Sequence, residues 1–188
     1  RDGWLNEGMT SYFESRLMEV IYDVKRVDEE RVLMYRELLL DLEKVPEHMQ
    51  ALAPRLDDTT SEDFQGGIHY SKGQLFLEFL ETSFGRETFD AFLTSYVQEF
   101  AFGTITTEQF LDYLDANLLS AEDSPVTREQ AEEWTYQPGL PDTVTIPSSE
   151  NLDNAASLAA AWSGDEIDLV DVPVQGWSPQ ATIQIGRA

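Results

Sequence analysis

Cysteine is absent from this sequence, and histidine nearly so, with only His48 and His69. No disulfide framework or thiolate site can form, so any metal has to be held by His, Asp or Glu. Basic residues are scarce as well: 12 Lys and Arg stand against 36 Asp and Glu, for a net charge of −24. Phosphate backbones and anionic lipid surfaces draw their affinity from Lys and Arg clusters, which argues against nucleic acid and membrane as partners. Nowhere does an apolar run approach the roughly 20 residues of a membrane span. The excess of carboxylates also suits a protein kept soluble in a salty medium, where screening weakens self-repulsion.

What is present is enough for a core. Hydrophobic residues make up 41% of the chain and aromatic residues 11%, which argues against disorder despite the charge. The sequence opens on Arg1-Asp2-Gly3, without a Met or a signal-like segment, and is expected to be a piece of something longer. The compartment stays open, with the cytoplasm favoured over the periplasm.

The periodicity is helical. Leu5, Tyr12, Phe13, Leu17, Val20, Ile21 and Val24 predict a first helix from Trp4 to about Asp23. A second is expected from Val27 to Lys44, stopped by Pro46, followed by a long loop to Gly67. Tyr70 to Phe84 and Glu87 to Phe102 predict two more, each closed by a glycine, Gly85 and Gly103, placed for a left-handed cap. Thr106-x-x-Gln109 and Thr127-x-x-Gln130 have the capping-box form ahead of two further helices. Pro138-Gly139-Leu140-Pro141 and Pro147-Ser148-Ser149 punctuate a connector, which places a domain boundary at about 137–148. Beyond it lies an alanine-rich helix, Glu150 to Trp162. Ile167-Asp168-Leu169-Val170 and Val172-Pro173-Val174 after it read equally as strand or extended loop.

Three strings carry chemistry. Trp4-Leu5-Asn6-Glu7-Gly8-Met9-Thr10 comes first, Gly67-Ile68-His69-Tyr70-Ser71-Lys72-Gly73 second, and Trp134-Thr135-Tyr136-Gln137-Pro138-Gly139-Leu140-Pro141 third. Taken singly each has a plain reading: Glu7 as a carboxylate favoured near a helix N-terminus, Tyr70 as a packing residue with a wet tip. Taken in order, they resemble the gluzincin zinc aminopeptidases of the aminopeptidase N and leukotriene hydrolase family, over residues 1 to about 141. In that family H-E-x-x-H is followed, eighteen residues after its second histidine, by a glutamate in W-x-N-E-G, which Glu7 matches. A tyrosine further on, commonly in P-Y-E-K-G, stabilises the oxyanion, and Tyr70 matches it. His69 and Ser71 depart from that pattern, and His69 is read as a loop or substrate-facing residue, not a ligand. The P-G-L-P string favours the leukotriene-hydrolase-like branch.

The resemblance implies a mainly α chain. Residues 1–141 would be the distal helical half of a thermolysin-like catalytic domain, and 142–188 a linker with the incomplete start of a carboxy-terminal helical domain. It implies one catalytic Zn2+ with Glu7 as a ligand, Glu14 two helical turns on as a carboxylate behind the ligands, Tyr70 as catalytic residue and a peptide as substrate. H-E-x-x-H occurs nowhere in the chain. The other ligands and the general base would therefore come from an upstream part of the same polypeptide, and this piece alone is expected to be inactive. The rival reading is a non-catalytic helical interaction domain or a pseudo-enzyme.

Overall fold

The computed structural model describes residues 2–54, 67–168, 170, 172 and 177–185, and every element among them is helical. The helices are α1 (Gly3–Ile21), α2 (Val24–Lys44), α3 (Ile68–Phe84), α4 (Arg86–Glu99), α5 (Thr107–Leu114), α6 (Arg128–Tyr136), α7 (Glu150–Ser163) and α8 (Pro179–Ile185). A short 3-10 turn, Glu47–Met49, follows α2, and a π-turn, Asp115–Leu119, continues α5. None of the described helices is long and apolar enough to cross a membrane.

The chain divides into two compact units, one of Arg1–Glu14 with Glu37–Thr145, the other of Ser15–Arg36 with Ile146–Ala188. The first is built around aromatic rings. Trp4, Phe76, Phe110 and Trp134 are all fully buried, with Trp4 edge-on to Phe110 at 5.6 Å and Phe76 stacked on Trp134 at 5.7 Å. Burying each such ring removes enough apolar surface to contribute about 3 kcal/mol. In the second unit Val32, Leu152, Ala155 and Ala181 form a small core. Beside it the buried Glu29 accepts from Asn151 Nδ2 at 2.7 Å, and Arg26 pairs with Glu30 at 2.6 Å.

Several boundaries differ from those predicted, each for a local reason. Helix α2 begins at Val24, not Val27, because the Asp23 carboxylate accepts the Arg26 backbone N–H at 2.8 Å and so caps the helix early. Gly85 takes a positive φ, +81°, at the end of α3, but with ψ 148° it is not a left-handed helical cap, and Gly103 does not cap α4. That helix already ends at Glu99, and the left-handed position falls on Phe102, at φ 61° with its ring fully exposed. Both capping boxes form as predicted, at Thr106 and Thr127. In the loop expected between Pro46 and Gly67, residues 47–49 make the 3-10 turn, while 55–66 lie outside the described residues. Residues 169, 171, 173 and 174, half of the stretch from Ile167 to Val174 that read as strand or extended loop, also lie outside them.

Candidate functional site

Trp4 anchors the start of α1. Its fully buried indole donates from Nε1 to Thr107 Oγ1 at 2.9 Å. The Asp2 carboxylate accepts the Thr107 backbone N–H at 2.6 Å, satisfying a free donor in the first turn of α5. The Thr106 capping box fixes where α5 begins, so these two bonds set the register of α1 against it. With Trp4, Leu5, Gly8 and Tyr12 facing inward, Glu7 is left half-buried at the rim of that stripe.

Glycine brings α1 and α3 together. A Cβ added to Gly8 would stand 2.8 Å from Gly73 Cα, and one added to Gly73 would stand 2.8 Å from Gly8 Cα. The two backbones therefore touch, a separation that no residue with a side chain permits. Glu7 and Tyr70 flank this crossing on their two helices, with the Glu7 carboxylate close enough to act on the Tyr70 hydroxyl. Hydrogen-bonding attraction to that carboxylate, and then its negative charge, raise the Tyr70 hydroxyl above its ordinary pKa. The exposed phenol is kept protonated and remains a donor.

The other residues singled out in the sequence fall around this pair without joining it. Glu14 lies exposed two turns further along α1. His69 is half-buried, its ring close to Gly3, and His48 is exposed in the 3-10 turn. Among the described residues no three His, Asp or Glu side chains gather closely enough to hold a metal. Glu7 is a hard oxygen donor of the type zinc accepts, so the described residues fit zinc as the source of one ligand and not as a complete site.

One residue of this region had no role in the sequence reading. Lys72 is fully buried, and its ammonium donates to the carbonyl oxygens of Gln137 at 2.7 Å and Gln50 at 3.3 Å. Burial pulls its pKa down from 10.5 to about 8. The Gln50 side chain continues the network, donating to the carbonyls of Leu42 and Val45 and accepting the Gly139 N–H at 3.1 Å. A signal was available: Lys72 lies four residues from both Ile68 and Phe76, on the apolar stripe of α3.

Residues 1–134 match the peptidase family M1 domain, and the chain belongs to that family. It is 31% identical over 163 residues to leucine aminopeptidase 2 of Saccharomyces cerevisiae, covering 85% of this chain and 24% of that protein. Against aminopeptidase B of Homo sapiens it is 27% identical over 193 residues, 97% of this chain and 29% of that one. The structure of native leukotriene A4 hydrolase from Saccharomyces cerevisiae superposes with a TM-score of 0.81 at 26% identity, covering 97% of this chain and 31% of that chain. The chain thus spans less than a third of the length of these relatives. Peptidases of this family are in general zinc enzymes.

Proposed function

We propose that this chain is the distal part of a zinc aminopeptidase active site, acting in the full-length protein to release amino-terminal residues from peptides. The observation that carries the reading is the close Gly8–Gly73 crossing, which sets Glu7, the candidate metal ligand, near the Tyr70 hydroxyl. Relatives named as aminopeptidases support it. In this reading residues 1–141 are the helical half of the catalytic domain and 142–188 begin the next.

Glu7 would supply one carboxylate oxygen to zinc, with the remaining ligands from elsewhere in the polypeptide. When bound, zinc supplies Lewis-acid polarisation of the scissile carbonyl. With Glu7 turned to the metal, the single Tyr70 hydroxyl proton would be directed to the carbonyl oxygen, which gains negative charge as water, giving up its proton to a general base from elsewhere in the polypeptide, adds to the amide carbon. A preorganised donor of this kind is worth about 3 kcal/mol of barrier. Glu14, two turns away, supports the ligand set from behind. The test is turnover by the full-length protein. Peptides with a free amino terminus should be cleaved, acetyl-blocked ones should not, and chelation should abolish activity that zinc restores. Inertness, or turnover indifferent to chelation, would favour the scaffold or pseudo-enzyme reading.

A further inference from the structure

A lysine inside an apolar core requires explanation: Lys72 has no carboxylate partner among the described residues, and an ammonium is costly to remove from water. Lys72 meets two carbonyls of one kind. Gln137 is the C-cap residue of α6, and Gln50 is the C-cap residue of the 3-10 turn. Carbonyls at helix ends lack intrahelical donors and sit at the negative end of the peptide dipoles, which is where a cation is favoured.

The same lysine stands in the first turns of α3, two residues after Tyr70. Two residues rotate a helix by about 200°, so Tyr70 faces out where Lys72 faces in. That beginning of α3 has no side-chain cap, since its N-cap residue is Gly67. Its grip comes from within, through Lys72 on Gln50 and Gln137, and through Gln50 on Gly139 and the end of α2.

From this geometry we propose that Lys72 is a positioning residue for Tyr70, locking the first turn of α3 to the carboxy ends of α6 and the 3-10 turn so that the phenol stays over Glu7. The inference rests on the catalytic reading of Tyr70 and adds to it the device that aims the hydroxyl. A shift of the phenol by about an ångström would forfeit up to about a hundredfold in rate.

The test is a double-mutant cycle in the full-length protein, with kcat, KM and zinc content measured for Lys72→Met, Tyr70→Phe and the pair. Lys72→Met is expected to lower kcat by about tenfold or more, with KM and zinc content unchanged. Placed on Tyr70→Phe it should cost nothing further, because there is no hydroxyl left to aim. Multiplying losses, or a fall in zinc content, would show a general structural role and overturn the proposal, as would wild-type kcat in Lys72→Met. Wild-type kcat in Tyr70→Phe would instead overturn the catalytic reading of Tyr70. Should Lys72→Met not fold, Gln50→Ala carries the same cycle. It frees Gly139 and the end of α2, and its loss of kcat should likewise vanish on Tyr70→Phe. An undiminished loss there would overturn the proposal.

Discussion

At the scale of single residues, the proposed pairing of Glu7 with Tyr70 draws on two glycines and one lysine. Gly8→Ala would drive a methyl group to 2.8 Å from the Gly73 backbone, which cannot swing aside as a flexible side chain can. The helices must part, at a cost of about 2 kcal/mol of stability, seen as a lowered denaturant midpoint, and Tyr70 must move away from Glu7. Wild-type stability in Gly8→Ala would contradict the close crossing. Lys72 predicts a pH effect whose sign follows from its lowered pKa. Between about 8 and 10.5 the unfolded chain holds the proton that the folded chain has released, so stability rises with pH through that window. Below it the buried ammonium imposes its full cost, on the order of 3 kcal/mol. Lys72→Met should remove that rise in denaturation curves taken at successive pH values, and an unchanged rise would contradict the assignment. Glu7 and Tyr70 were singled out in the sequence because their neighbours repeat family strings. Gly8, Gly73 and Lys72 stood in those strings too, but their reasons lie in contacts between segments distant in the sequence, which no local pattern carries.

Among the elements, the helices with strong local signals were readable and the weak ones were not. Thr106 and Thr127 announce their capping boxes, and each threonine hydroxyl accepts the N–H of the glutamine three residues on. Thr127→Ala should lower stability by about 1 kcal/mol, seen as a shift in the denaturant midpoint, and no shift would contradict the cap. Helix α8 was not anticipated: at seven residues it is too short to show a period, and it is held by Gln180 on Arg26 and Glu30 and by Ala181 in a core with Val32. The end of α4 was misplaced because apolar residues run on past Glu99 to Phe102. Phe102 pays with a positive φ that a side chain of its bulk disfavours. Phe102→Asn is expected to stabilise the chain by up to about 1 kcal/mol, and a loss of stability would contradict the strained turn.

On the scale of the whole molecule, a charge of −24 sets the terms on which the helices pack. Like charges repel most in the compact state, so the denaturant midpoint should rise with sodium chloride from about 0.1 M to about 1 M. A flat response would mean that the carboxylates are locally compensated. The helical class was legible throughout, because its apolar positions recur at helical spacing from Leu5 to Tyr113. The division into two units was not, because residues 15–36 belong with 146–188 and only three-dimensional proximity unites them. The central claim is that Glu7 holds metal while Tyr70 acts on the substrate, and zinc content with kcat in full-length Glu7→Ala and Tyr70→Phe tests it most directly. The account predicts that Glu7→Ala loses zinc, while Tyr70→Phe keeps it and slows by about a hundredfold or more. Full zinc and near-normal turnover in Glu7→Ala would contradict it.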